Sequence, residues 1–113
     1  MRILFAASEA YPLMKTGGLG DVCHSLPNAL AAIADVRLVL PGYREIHQQV
    51  DDTRVIGEMP VAPGHVARIL ECRHHDYLMP IWLVDVARLF DRAGNPYIHP
   101  DGHGWPDNPE RFC

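Results

Sequence analysis

The sequence predicts an α/β fold, a parallel sheet with a β-hairpin inserted into it. Three observations carry this expectation. Short apolar runs recur along the chain ("RILFAA", "VRLVLP", "IWLVDV"), as buried parallel strands do. Between the first two runs Leu19, Val22, Leu26, Leu30 and Ile33 return at helical spacing, giving strand, helix and strand within about forty residues. Two further strand-like stretches then follow one another with only a Pro-Gly turn between them.

Taken in order, Arg2 to Ala7 reads as a fully buried first strand. Glu9 closes that apolar run too early for a cleaved leader peptide. "SEAYPLMKTGG" is a loop, kept from helicity by Pro12 and the glycine pair. The apolar stripe from Leu19 marks one face of an amphipathic helix. Pro27 lies inside it, where proline costs on the order of 3 kcal/mol, so the helix either kinks there or begins close by. "DVRLVLPGY" is a second strand, stopped by Pro41-Gly42, and its crossover from the first is right-handed. "TRVIGEMPV" and "HVARILECR" form the hairpin, and "YLMPIWLVDV" is a last strand. From Arg88 the texture changes to Gly, Pro, Asn and Asp with scattered aromatics, a loop long enough to suggest function.

Composition narrows the function classes. The 113 residues suit one domain, and 48% apolar with 21% charged residues is a soluble globular balance. A net charge of −4 disfavours a nucleic-acid face, which must be basic. No window approaches the ~18 apolar residues of a membrane span. Cys23, Cys72 and Cys113 show no paired spacing, which favours free thiols in a reducing cytoplasm over zinc or disulfides. Among seven histidines, His74 and His75 would point to opposite faces of a strand, and Pro100 and Gly102 break any helical pairing of His99 with His103. No metal site is expected. Ser8 and Ser25 lack a nucleophile elbow. Trp82, in an apolar strand, reads as core, whereas Trp105 in the polar loop is a candidate for stacking on sugar.

"KTGGLGDV", residues 15 to 22, holds the only lysine of the chain. A parallel strand feeding a glycine-rich turn and then a helix leaves unpaired N–H groups at the carboxyl edge of the sheet. With the positive end of the helix dipole they form an anion site. Gly17, Gly18 and Gly20 let a ligand approach the backbone and permit positive φ. Lys15 adds a mobile point charge suited to a diphosphate. Asp21 either caps the helix or holds Lys15 in place. The spacing matches neither GxxxxGK[ST] nor GxGxxG. On pattern alone, a plain structural turn carrying a surface lysine remains open.

"SEAYPLMKTGGLGDV" with "LP" shortly after it resembles the N-terminal signature of bacterial glycogen synthases and plant starch synthases. "VRLVLPGY", "LFDRAGNPY" and "WPDNPERF" follow in that family's order and approximate spacing, so the resemblance covers nearly the whole chain. It implies a Rossmann-like domain of the two-domain GT-B fold. The implied activity is retaining transfer of glucose from ADP-glucose to the non-reducing end of an α-1,4-glucan, with no metal and no other cofactor. Lys15 would then lie at the donor's phosphate and glucosyl region, with Gly17 and Gly18 beside the diphosphate. Tyr97 would line the glucosyl site. Asp21 matches an acidic residue beside the loop, and Asn108 is a weaker match that also reads as a helix cap.

His24 and Ser25 depart from the smaller, apolar residues common in the family, and the first helix lacks its usual closing glycine. Family members are several times longer. The resemblance therefore implies that residues 1–113 are an incomplete N-terminal domain, inactive alone, with the second nucleotide-binding domain and its catalytic groups beyond residue 113. The alternatives are a stand-alone nucleotide-sugar or glucan binding module and, by strand–loop–helix analogy only, an oxidoreductase half-domain. The missing third glycine counts against the last.

Overall fold

The computed structural model describes residues 1–62, 64–86, 90, 106 and 111. Among these, β1 (Arg2–Ala6), β2 (Asp35–Pro41), β3 (Asp51–Ala62), β4 (His65–Arg73) and β5 (Ile81–Asp85) form one sheet in the order β1-β2-β5-β4-β3. β1, β2 and β5 are mutually parallel, and β4 runs antiparallel to both β5 and β3. The expected α/β plan and its inserted hairpin are therefore present: a parallel half sheet, extended on one side by the β3–β4 hairpin.

Two helices, α1 (Gly18–Leu30) and the single turn α2 (Arg44–His47), complete the described elements. Strand side chains alternate between the two faces of the sheet. On one face Val36, Leu38, Leu40, Leu70, Cys72, Ile81 and Leu83 are buried in a single cluster with Cys23 of α1 and Ile46 of α2. Cys23 and Cys72 are free thiols, as expected. Burial pushes the Cys72 thiol up to about 12, with the Glu71 carboxylate adding to the shift.

The opposite face is largely open. Leu4 pairs in register with Arg37, Val39 with Trp82, and Trp82 with Glu71. Leu4 is 62% exposed, so β1 is not the fully buried strand its apolar run suggests: it lies at the sheet edge with one face uncovered. Trp82 is half-buried rather than core, and its indole N–H donates to Glu71 Oε2 at 3.0 Å. That bond, then the one from Arg54, holds the Glu71 carboxyl below its usual range. A groove lined by Arg2, Leu4, Asp35, Arg37 and Trp82 crosses this face at the amino ends of β1 and β2, away from the glycine loop.

The helix departs most from expectation. α1 runs through Pro27 and buries its small face, Gly20, Cys23 and Pro27. Leu19, Val22, Leu26 and Ile33 are exposed instead, and only Leu30 is partly buried. Small residues let the helix lie close to the sheet, which turns the bulky stripe outward. Asn28 fastens α1 to the β4–β5 connection, donating to Asp76 O at 2.9 Å and accepting from the Leu78 N–H at 2.9 Å.

Candidate functional site: the glycine loop after the first strand

The segment from Ser8 to Gly17 leaves the carboxyl end of β1 and folds back on itself through a two-way backbone bridge between Ala10 and Met14. Three side chains from elsewhere hold it. The Tyr43 hydroxyl donates to Ser8 O at 2.7 Å, Gln49 Nε2 donates to Leu13 O at 2.9 Å, and the Tyr77 hydroxyl donates to Tyr11 O. Burial raises the Tyr77 hydroxyl well above its ordinary range, so it stays a donor.

α1 begins at Gly18 with Gly17 as its N-cap residue, and no side chain caps it. An uncapped helix start leaves its first amides without intrahelical partners. Among the described residues the N–H groups of Gly17, Gly18 and Leu19 find no acceptor, whereas the Gly20 N–H reaches Gly17 O at 3.2 Å. A Cβ on Gly17 or Gly18 would meet nothing within 4 Å. Unpaired donors, a helix dipole and open space therefore coincide, which is what an anion requires.

The loop glycines do not serve through positive φ. Gly17 is extended (φ −168°), and the described residues with positive φ, Asp52 and Gly64, lie elsewhere. Gly20 has a different reason to be glycine. A Cβ there would stand 2.9 Å from Lys15 Cγ and 3.1 Å from its Cβ, so the absent side chain makes room for the lysine stem.

Lys15 Nζ sits 2.9 Å from Asp21 Oδ1 and 5.7 Å from the centroid of the Tyr11 ring. Asp21 therefore does not cap α1, lying four residues past the N-cap position at Gly17; it holds the lysine. With side chains 40% and 57% exposed, the pair is of a kind worth about 1 kcal/mol or less. A diphosphate offers more charge than one solvated carboxylate, so Lys15 is free to exchange partners.

A family model described as the starch synthase catalytic domain matches residues 2–113. The chain belongs to that family. Similar curated relatives are a glycogen synthase of Thioalkalivibrio sulfidiphilus, 48% identical over 99% of this chain and 24% of the relative. Another, from Paramagnetospirillum magneticum, is 47% identical over 100% of this chain and 24% of the relative. The catalytic domain of Starch Synthase IV from Arabidopsis thaliana, solved with ADP and acarbose, superposes with a TM-score of 0.68. It shares 26% identity over 87% of this chain and 21% of that one. The chain thus spans about a quarter of the length of the curated relatives it matches.

In this starch synthase family chain the described residues bring together four of the expected site residues: Lys15, Gly17, Gly18 and Asp21. Tyr97, Trp105 and Asn108 lie outside the described residues, as do His99, His103, Cys113 and most of the long loop after Arg88. Sequence reasoning missed Glu9, which is 2% exposed and accepts from both the Thr16 N–H and the Thr16 hydroxyl at 2.6 Å. Its only trace in the sequence is an acid standing beside an apolar run.

The histidine expectation also needs correction. β4 ends at Arg73, so His74 and His75 are not strand neighbours; their rings stack with centroids 4.3 Å apart. With Asp76 they bring potential ligand atoms within 4.8 Å of one another. However, His74 Nδ1 already accepts the Asp76 N–H at 3.1 Å, and that lone pair is engaged. Burial, followed by the neighbouring His75, lowers the His74 pKa.

Proposed function

We propose that this chain is the donor-facing part of a retaining glucosyltransferase that moves glucose from ADP-glucose to the non-reducing end of an α-1,4-glucan. The single observation that carries the reading is the row of amides at Gly17, Gly18 and Leu19, unpartnered among the described residues, beside Lys15 at the carboxyl end of a parallel strand. The names of the relatives and the ADP and acarbose bound to the Arabidopsis protein support it. Residues 1–113 are read as an incomplete N-terminal Rossmann-like domain whose partner domain supplies the remaining catalytic groups.

The chemistry assigned to this part is electrostatic. As the bond between the anomeric carbon and the diphosphate oxygen breaks, negative charge grows on the departing ADP. Lys15 and the amide row stand where that charge develops and need little reorganisation to meet it. Tyr97 lines the glucosyl site in this reading, Trp105 is a stacking platform for the acceptor, and Asn108 plays a lesser part. No metal or cofactor takes part.

The test joins this chain to the remaining length of the Thioalkalivibrio relative. The chimera should extend glycogen with labelled glucose from ADP-glucose, and the isolated chain should not. A folded chimera that binds no ADP-glucose by calorimetry would refute the proposal. Glucan extension by the isolated chain would refute the partial-domain reading.

A further inference from the structure

We propose that Glu9 is a positioning residue: its buried carboxylate grips Thr16 and thereby sets Lys15 and the amide row for the diphosphate. The inference rests on the function proposed above and deepens it. A carboxylate only 2% exposed is costly unless hydrogen bonds answer its charge. Among the described residues Glu9 forms no ion pair; both of its hydrogen bonds go to Thr16, at 2.6 Å each, the short lengths of charge-assisted bonds.

The placement of the other braces shows what this tether does. Tyr43, Tyr77 and Gln49 all end on carbonyls of Ser8, Tyr11 and Leu13, the first half of the segment. The backbone bridge reaches Met14 and stops there. Residues 15–18 are otherwise held, among the described residues, by α1 and Tyr11: Lys15 pairs with Asp21 and faces the Tyr11 ring, and Gly17 O accepts the Gly20 N–H. Glu9, rooted in the braced half, crosses to the donor half and, among the described residues, is the side chain that hydrogen-bonds its backbone, at the Thr16 N–H. Thr16 is the peptide neighbour of both Lys15 and Gly17, so a shift at Thr16 moves the ammonium and the first free amide together. Misplacing preorganised donors by a fraction of an ångström weakens binding of the charge they face.

Hydrogen exchange on the 113-residue chain reads the tether directly. The Thr16 amide should be protected in the parent and exchange at least about ten-fold faster in Glu9→Gln, while β2 amides are unchanged. An unprotected Thr16 amide in the parent, or one indifferent to Glu9→Gln, overturns the tether. In the chimera, Glu9→Gln and Thr16→Val should raise KM for ADP-glucose about five- to ten-fold with little change in KM for glycogen. Thr16→Ser, which keeps both donors, should restore donor affinity to within about two-fold. Should Glu9→Gln fail to fold, Thr16→Val carries the same reading with the carboxylate left in place. Variants that melt earlier yet keep the parent KM for ADP-glucose show a purely structural acid and overturn the proposal. An inactive parent chimera would instead count against the proposed function, leaving the exchange measurement to judge the tether.

Discussion

Gly20 and Lys15 are packed so closely that a methyl group on Gly20 would stand 2.9 Å from Lys15 Cγ. The contact involves the root of the lysine side chain, which cannot swing clear as its far end could. Alanine is favoured over glycine inside a helix by about 1 kcal/mol. Overpacking of this kind costs about 1–3 kcal/mol, so Gly20→Ala should lower the thermal midpoint modestly or leave it unchanged while weakening ADP-glucose binding about ten-fold. A melt and a calorimetric titration of the same sample separate the two effects. Unaltered affinity would show that the lysine does not need its present path.

Removing the ammonium tests the charge itself. The Lys15–Asp21 pair is solvent-exposed and contributes little to stability. Lys15→Ala in the chimera should lower kcat/KM for ADP-glucose by at least about a hundred-fold with a midpoint shift within about 2 °C. Turnover equal to the parent would refute the role given to Lys15.

Much of this geometry was legible in the sequence, and the reasons for the rest are physical. Strand, loop, helix and hairpin follow from apolar spacing and turn residues, local signals that survive without neighbours. The direction α1 faces did not follow. Periodicity marked Leu19, Val22 and Leu26 as a stripe, but burial went to Gly20, Cys23 and Pro27, because close packing selects small residues over the most apolar ones. Glu9 was illegible for a related reason: one acid in a loop looks solvated until the fold brings Thr16 over it. Asp21 was legible as either a cap or the partner of Lys15, and the structure decides for the partner.

The buried thiols set the response to alkali. Cys72 holds its proton up to about 12, above its ordinary 9.0, so the folded state binds a proton that the unfolded chain has released. Its contribution to stability is whole below pH 9 and is lost as pH rises through 12. Burial and Glu9 raise Cys23, and burial raises Tyr77, in the same sense. The midpoint should therefore fall as pH increases above 9, less steeply in Cys72→Ala. A thiol reagent at pH 8, mapped by mass spectrometry, should label Cys23 and Cys72 only after denaturant is added. Rapid native labelling of Cys72 would contradict the burial described here.

The outward stripe on α1 predicts stickiness. Val22 and Leu26 are 52% and 44% exposed, beside Leu19 at 51%. The isolated chain should associate as concentration rises in sedimentation velocity and bind a hydrophobic dye. Val22→Lys with Leu26→Glu should reduce both without lowering the midpoint, because neither side chain is core. A parent that stays monomeric and dye-silent at millimolar concentration would count against this.

A lysine already matched with an internal carboxylate also makes the loop choosy about its guests. Chloride or a lone orthophosphate offers a single foothold, enough for the ammonium or for the amide row. Two phosphoryl groups in tandem can engage the ammonium and the amide row at once. Under the function proposed above, the span of the incoming anion therefore sets how many of these donors it engages.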